Sequence, residues 1–444
     1  MIVPRPTAEV RLARAALAAL LLAFASFTAL SAYTERSAHA NGRFPRAQTI
    51  LTSGDRVVLR ATFGLMISED HGKTFDWVCE QAIGFSGPWD PPLAIRGRTI
   101  YLGLADGLRT TEGGCAFTRV AELEGQLVSD LSEERGTVWL ATSTPKDPAF
   151  VWRSRDGGRF ERLGKGIPGI YVDTLDVDRG TLGRPARVYA TGVEVGKNVA
   201  PHLFRSDDGG VSFRELHPAW PSEGRLYLAS VDRTNADRLL IRTLGVKGSG
   251  LLLSEDGGAT VRVVFHFDGA MFGFARDGDD VWVGSGTPSE GLHRSTDGGK
   301  TFTKVRDQLV YCLHADGSRL YGCSEPYAPS GYAIALSEDR GATWRSLATF
   351  SDVRGPLACD AGDGAKCVDA WPPVKLMLGT QVSTTLPVDA SVEGGADASV
   401  EPLAPPKDRS RCGCDTVGAP SGNLGLAGLL LGLSLIVLHR RGSS

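Results

Sequence analysis

The chain has 444 residues and a formal net charge of -3, so no excess of basic residues indicates a nucleic-acid partner. Glycine is abundant, with 55 residues, whereas methionine is scarce, with 4. Such a turn-rich composition favours many short strands over long helices. Helical 3.6-residue periodicity is also weak between residues 45 and 380. The bulk properties therefore predict an all-β protein.

The first 40 residues differ from the rest of the chain. Arg5, Arg11 and Arg14 precede the apolar run AALAALLLAFASFTAL, and the stretch AHA follows at residues 38–40. A basic region, an apolar region and a small-residue cleavage site are typical of a secretory signal peptide. We therefore expect residues 1–40 to direct export and to be removed. The alternative is an N-terminal membrane anchor.

An eight-residue stretch recurs along the middle of the chain. It reads SEDHGKTF at residues 68–75 and STDGGKTF at residues 295–302, and five further copies begin at residues 110, 154, 206, 254 and 337. The copy at residue 110 carries Glu112 at the acidic position, and the copy at residue 154 is one residue short. Successive copies lie 41 to 52 residues apart. This spacing is typical of a repeat protein built from four-stranded units.

The sequence around each copy predicts the strands of one unit. A short apolar stretch, such as GLMIS or GLLLS, comes directly before the copy, and a run with period two, such as RVVLRAT or RTIYLGL, lies 12 to 25 residues earlier. Another short strand, such as TKVRD, follows the copy. The predicted order is strands A, B and C, then the repeated stretch as a turn, then strand D.

The repeated stretch resembles the Asp-box, or BNR repeat, with the pattern S-x-D-x-G-x-T-[FW]. This box occurs in sialidases, sortilin-type receptors, xyloglucanase-type glycoside hydrolases and photosystem II assembly-factor propellers. The resemblance implies a seven-bladed β-propeller over residues 41–351, in which the box is a structural turn away from the ligand face. Asp can bind turn amides and Gly permits a positive φ. The acidic residues predicted to be structural are Asp70, Glu112, Asp156, Asp208, Asp256, Asp297 and Asp339.

The cysteines predict disulfides, because an even number, 8, occurs in a chain expected to be exported. The candidates in the folded part are Cys79, Cys115, Cys312, Cys323, Cys359 and Cys367. Cys312 and Cys323 flank a tight turn and are predicted to pair. Cys359 and Cys367 close the loop CDAGDGAKC and are also predicted to pair. By elimination, Cys79 is then expected to pair with Cys115. Free thiols are the alternative. Residues 352–380 are predicted to be a disulfide-containing closing segment that packs on the propeller.

The C-terminal part of the chain has a different composition. Residues 381–411 are rich in Pro, Ala, Ser and acidic residues and are predicted to be a disordered linker. Val417–Leu438 follows as 22 residues without a charge, and Arg440 and Arg441 come soon after it. This stretch is long enough to span a bilayer, and the arginines favour the cytoplasmic side.

Residues 412–444 resemble the MYXO-CTERM sorting signals of secreted myxobacterial proteins. Cys412 and Cys414 match the cysteine motif of these signals, Leu424–Leu438 matches the apolar helix, and the two arginines match the basic tail. The resemblance implies processing near the cysteines and retention at the cell envelope or cell surface. We therefore expect an exported protein that is tethered through its C-terminal helix or the processed remainder.

The sequence contains no motif that indicates catalysis. It has no G-x-S-x-G in a strand–turn–helix context, no H-E-x-x-H, and no Arg-Ile-Pro motif of the sialidase type. A xyloglucanase-type site lies between two propellers, and this chain has length for one. No cofactor or metal site is predicted. We expect a monomeric, non-enzymatic binding or scaffold module, and the alternative is a glycoside hydrolase of the sialidase-like class.

The D–A and B–C loops are expected to share the face opposite the repeated turns. Aromatic and polar residues on a concave face can bind a glycan or a protein segment. The alternative is that these residues fold over the ends of their own blades. The ligand-face candidates are Trp89, Asp90, His202, Trp220, Tyr327 and Tyr332.

Overall fold

The computed structural model describes residues 44–379, with gaps at 86–88, 179, 181–183, 197–199, 222–223, 246–247 and 327–329. These residues form seven four-stranded antiparallel sheets, each made of four strands that are consecutive in the chain. The chain is a seven-bladed β-propeller, as its sequence predicts. The predicted signal peptide, linker and sorting signal lie outside the described residues.

The strands of each blade are named in chain order. Blades 1 and 2 contain β1 (Ala47–Ser53), β2 (Arg56–Ala61), β3 (Gly64–Ser68), β4 (Asp76–Val78), β5 (Leu93–Arg96), β6 (Thr99–Leu104), β7 (Gly107–Thr111) and β8 (Thr118–Arg119). Blades 3 and 4 contain β9 (Val128–Glu134), β10 (Thr137–Thr142), β11 (Ala149–Ser154), β12 (Glu161–Ile167), β13 (Ile170–Val177), β14 (Val188–Glu194), β15 (His202–Ser206) and β16 (Arg214–Leu216).

Three further blades complete the ring. Blades 5 and 6 contain β17 (Arg225–Val231), β18 (Leu239–Gly245), β19 (Gly248–Ser254), β20 (Arg262–Phe267), β21 (Met271–Asp277), β22 (Asp280–Ser285), β23 (Leu292–Ser295) and β24 (Thr303–Arg306). Blade 7 contains β25 (Cys312–Asp316), β26 (Arg319–Cys323), β27 (Ile334–Ser337) and β28 (Arg345–Ala348). The described helices are α1 (Glu80–Ile83) and α2 (Cys367–Met377), with short 3-10 turns at Ala121–Leu123, Phe350–Asp352 and Asp363–Lys366.

The first strand of each blade faces the centre of the ring. First strands of successive blades contact one another, as β1 does with β5, β9 with β13, and β25 with β1. The apolar side chains pack mainly between blades. Tyr189 and Leu203 of blade 4, for example, share one buried cluster with Leu226 and Leu239 of blade 5. The blades therefore stabilise one another face to face, and their first strands surround a central channel.

The repeated stretch forms the turn between the third and fourth strands, as predicted. In blade 1, Ser68 Oγ donates to Asp70 Oδ1 at 2.7 Å and accepts the Gly72 N–H at 2.8 Å, while Thr74 Oγ1 donates to Asp70 Oδ2 at 2.7 Å. The same network recurs at residues 206–212, 254–260, 295–301 and 337–343. Hydrogen bonds from Thr343 and Ser337 lower the pKa of Asp339 to about 2. These carboxylates are therefore ionised and bound within their own turns.

The turn of blade 2 differs from the predicted alignment. The hydroxyl that accepts the Gly114 N–H, at 2.8 Å, belongs to Thr111 and not to the preceding threonine. By comparison with blade 3, where Ser154 binds Asp156 two residues later, the acidic position falls at Gly113. Glu112 is exposed, and no hydrogen bond from this turn to it is found among the described residues. The structural role predicted for Glu112 is therefore wrong, because the buried threonine at the end of β7 sets the register.

The ring closes without a strand shared between its ends. Blade 1 and blade 7 are each built from one continuous part of the chain. Residues 349–379, which we name the strap, leave β28 and run outside blade 1, parallel to β4. The Gly355 carbonyl accepts the Trp77 N–H and the Trp77 carbonyl accepts the Leu357 N–H, both at 2.8 Å. The closing segment predicted from the sequence thus packs on the outer edge of the first blade.

The structure changes two of the three predicted cysteine pairings. Cys312 pairs with Cys323 across the β25–β26 turn, as predicted. Cys79 pairs with Cys367 and Cys115 with Cys359, so the predicted Cys79–Cys115 and Cys359–Cys367 pairings are wrong. The physical reason is the path of the strap, which returns over blades 1 and 2. Each strap cysteine meets a blade residue more than two hundred positions away.

No described helix combines the length and the apolar content that a bilayer crossing requires. The crossing that the sequence predicts at residues 417–438 falls outside the described part of the chain.

Candidate ligand-binding channel

The ligand-face candidates that the structure describes pack against neighbouring side chains of the propeller. Tyr332 is buried and stacks on Trp344, with ring centroids 6.5 Å apart, and burial raises its pKa to about 12. Trp220 is partly buried against the cluster between blades 4 and 5, and the Trp89 ring lies 6.1 Å from that of Phe85. Each of these rings thus contacts a neighbouring aromatic or apolar side chain.

The remaining candidates give the same result. The His202 ring stacks on Phe204, with centroids 6.1 Å apart, and its Nδ1 lies 2.6 Å from Glu215 Oε1. Asp90 is half-buried and lines a small cleft with Phe85. Tyr327 lies outside the described residues. None of the five described candidates lines the large cavity in the centre of the ring.

That cavity has a volume of about 900 Å³ and lies along the central channel. Its wall is formed by the first strands of blades 1, 5, 6 and 7, namely β1, β17, β21 and β25, together with the hairpin turns that follow β17 and β21. A cavity of this size can accommodate a ligand of several hundred daltons. These hairpins lie at the same end of each blade as the repeated turns. The cavity therefore extends toward the face that carries the repeated turns, whereas the sequence predicts a ligand on the opposite face.

One wall of the cavity is aromatic. Phe272 and Phe274 of β21 both line the cavity, and a β-bulge between Met271 and Gly273 interrupts the alternation of the strand at Phe272. Phe272 remains 43% exposed, and its ring meets that of Tyr311 edge-on at 5.6 Å. An aromatic ring that is exposed within a concave surface offers a face on which a sugar ring or an apolar side chain can stack.

Arginine–aspartate pairs occupy the hairpin end of the cavity. Arg238 Nη1 binds Asp279 Oδ1 at 2.7 Å and lies 3.3 Å from Asp232 Oδ2, and Arg276 also binds Asp232. Burial alone would raise the pKa of Asp232, but hydrogen bonds from Thr234 and the charge of Arg276 lower it. The arginine and aspartate charges thus compensate one another within the wall. The wall therefore offers oriented hydrogen-bond donors and acceptors but carries no large net charge.

The opposite side of the channel carries two unusual carboxyl groups. Asp130 on β9 accepts the Leu175 N–H of β13 at 2.7 Å, and Asp173 on β13 lies 3.0 Å from Arg225. Burial raises the pKa of Asp130 to about 7, and it raises that of Asp173 to about 6 despite the charge of Arg225. Carboxyl groups with raised pKa values are typical of acid–base sites, although both groups also bind neighbouring blades.

Asp130 has a consequence for the pH dependence of stability. A folded-state pKa of about 7, above the ordinary value of 3.8, means that stability falls as pH rises from about 4 through about 7. Asp130→Asn keeps an acceptor for Leu175 but cannot ionise. We expect the variant to be more stable than wild type at pH 8 by up to about 4 kcal/mol, and about equally stable at pH 4. Urea unfolding at both pH values measures the difference, with the exposed Asp268→Asn as control.

The residues that line this cavity are not among the ligand-face candidates predicted from the sequence. They lie on first strands or first hairpins, where successive blades share no motif. The usable signal was the stretch MFGFARD, residues 271–277, which puts two phenylalanines and Arg276 on a single inner strand. The sequence alone did not show which side faces the channel.

No protein-family model matches the chain, and no curated protein matches it significantly. Among solved structures, YCF48 from Cyanidioschyzon merolae is 14% identical, with 63% of this chain and 93% of that chain covered and a TM-score of 0.43. The GH74 xyloglucanase from Xanthomonas campestris is 14% identical, with 72% and 66% covered and a TM-score of 0.31. The extracellular domain of the B. thetaiotaomicron one component system BT4673 is 13% identical, with 67% and 38% covered and a TM-score of 0.45. Similarity at this level says nothing about what this chain binds.

Proposed function

We propose that this chain is a non-enzymatic binding module that takes a protein segment or a glycan into its central channel. The observation that carries the proposal is the exposed Phe272 ring in the wall of the 900 Å³ cavity, which also contains charged groups that are already paired. Such a wall can bind a ligand with little reorganisation, because its polar side chains are held by one another before the ligand arrives.

The proposal also assigns the repeated turns and the chain ends. The turns are Asp-boxes that hold the third and fourth strands together. Residues 1–40 are a signal peptide, and residues 412–444 are a sorting signal of the MYXO-CTERM type that tethers the protein at the cell surface. In this arrangement the propeller is presented outside the cell, where glycans and segments of other surface proteins are available.

Phe272→Ser tests the proposal. We expect the full chain to bind one or more members of a panel of synthetic peptides and soluble oligosaccharides. The substitution should weaken that binding about five- to thirtyfold, since a stacked aromatic ring contributes about 1–2 kcal/mol. Val211→Ser is the matched control, because Val211 is 51% exposed but lies in the repeated turn of blade 4. Isothermal titration measures both. Equal affinity of the two variants would place the ligand elsewhere on the protein.

A glycoside hydrolase is the second candidate, and Asp130 and Asp173 are the observation that favours it. Two carboxyl groups with raised pKa values on neighbouring inner strands could serve as acid and base. Aryl glycosides of several sugars distinguish the two functions. A hydrolase releases the aryl group and loses this activity in Asp130→Asn. A wild-type protein that binds a sugar and releases nothing rules out the hydrolase.

A further inference from the structure

The strap bridges the seam between the last and the first blade. It begins at blade 7, where the Phe350 ring meets Phe63 of blade 1 edge-on at 5.2 Å. It then follows β4 of blade 1, and Arg354 Nε donates to Asp76 Oδ1 at 2.9 Å. Its helix α2 packs on the same blade, with the Trp371 and Trp77 rings 5.3 Å apart. The strap therefore holds blade 1 from the outside while it remains attached to blade 7.

Two disulfides fasten the strap. Cys79, directly after β4, pairs with Cys367 at the start of α2. Cys115, in the third-to-fourth-strand turn of blade 2, pairs with Cys359. Around the second bond the Gly364 N–H also donates to the Cys115 carbonyl at 2.8 Å. The fastening thus reaches from blade 7 across blade 1 to blade 2.

The same seam forms part of the cavity wall. Residues 48–51 of β1 and residues 312–315 of β25, on opposite sides of the seam, both line the cavity. A side-chain contact joins these strands, with Thr52 Oγ1 3.0 Å from His314 Nε2. Because no strand is shared between blades 1 and 7, movement of one relative to the other would change the width of the cavity directly.

The two strap disulfides differ in their access to solvent. Cys79 and Cys367 are 0% and 1% exposed, whereas Cys115 and Cys359 are only half-buried. A reductant in solution therefore reaches the Cys115–Cys359 bond first, since thiol–disulfide exchange requires direct approach to a sulfur atom. Release of this bond removes the covalent link to blade 2 and leaves Cys79–Cys367 as the one disulfide that fastens the strap.

We propose that the strap is a clasp that closes the ring, and that reduction of its disulfides, beginning with Cys115–Cys359, loosens the seam and widens the central cavity. The reductant is a dithiol. Each protein disulfide accepts two electrons and two protons to give two thiols, and the dithiol is oxidised to its own disulfide. The clasp itself does not depend on the ligand, but its role as a control of binding rests on the proposed function.

Hydrogen–deuterium exchange of the full chain tests the clasp. The variant contains Cys79→Ser, Cys115→Ser, Cys359→Ser and Cys367→Ser. We expect amides of β1, β4 and β25 to exchange at least tenfold faster than in wild type, and those of β13 and β17, on the far side of the ring, to stay unchanged. The control is Cys312→Ser with Cys323→Ser, which removes a disulfide beside the same seam that does not cross it. Equal protection at the seam in wild type and the four-serine variant, or faster exchange in all blades alike, would overturn the proposal.

Reduction of the folded wild type provides a second route if the variant fails to fold. Dithiothreitol is added to the native protein, and free thiols are alkylated and identified by mass spectrometry. We expect Cys115 and Cys359 to be labelled first and the exchange at the seam to rise afterwards. Labelling of the buried pairs first would contradict the proposed order. These measurements need no ligand, so a failure of channel binding leaves the clasp intact, and an unchanged seam leaves channel binding intact.

Discussion

Trp77→Ala will destabilise the protein by about 3–5 kcal/mol, as is typical when a buried tryptophan is removed from a core. Trp77 is 1% exposed, and its Nε1 donates to the Phe63 carbonyl at 2.8 Å. Its ring also packs on Trp371 of the strap. The substitution leaves a cavity, an unpaired buried carbonyl and a strap without its main aromatic contact. Guanidinium unfolding measures the change.

Trp220→Ala is the control for this substitution. Trp220 is only partly buried, and it packs at the edge of the cluster between blades 4 and 5. We expect it to cost less than about 2 kcal/mol, because less apolar surface is lost and no cavity is enclosed. If both tryptophans cost the same, the contact between blade 1 and the strap contributes less than the structure indicates.

Gly164→Ala will cost at least about 3 kcal/mol, because the added methyl group meets a backbone atom that cannot move aside cheaply. Gly164 lies on β12 with φ +56°, and a Cβ there would sit 1.7 Å from the Val211 carbonyl oxygen of blade 4. The substitution forces blades 3 and 4 apart or bends β12.

Gly169→Ala is the control that separates the cost of backbone strain from the cost of the steric clash with Val211. Gly169 has a similar φ of +71°, but a Cβ there would have nothing within 4 Å. We expect this variant to lose only about 1 kcal/mol, the cost of a non-glycine residue in the left-handed region. Thermal unfolding of both variants gives the comparison. A loss at Gly164 no greater than that at Gly169 would mean that the two blades have room to separate.

The blades and their repeated turns could be predicted from the sequence, because the contacts that form them join residues close together in the chain. Each blade consists of four consecutive strands. The turn between its third and fourth strands is closed by hydrogen bonds that each span no more than four positions, such as Ser68–Asp70 and Thr74–Asp70. A pattern of this kind can be read from eight letters and counted along the chain. The copy at Glu112 was misaligned because Thr110 is followed by an acid at the expected spacing, whereas the buried Thr111 binds the turn.

Two of the three cysteine pairings were predicted wrongly, because they join residues that are far apart in the chain. Cys359 and Cys367 are close in sequence, so a loop between them was the simplest prediction. In the structure the strap doubles back, and its bonds join residues 244 and 288 positions apart. Nothing in the local sequence states how far a closing segment travels around a ring. That path depends on contacts distant in sequence, such as the packing of Trp371 and Phe350 against blade 1.

The sequence by itself determined the number of blades, the order of their strands and the role of most repeated acids, because those features depend on contacts within about fifty residues. The tertiary structure alone decided the cavity, because Gln48, Phe272 and His314 come from three blades and meet only when the ring closes. It also decided which carboxyl groups are unusual. Asp130 acquires its raised pKa from burial beside β13, a strand more than forty residues further along the chain.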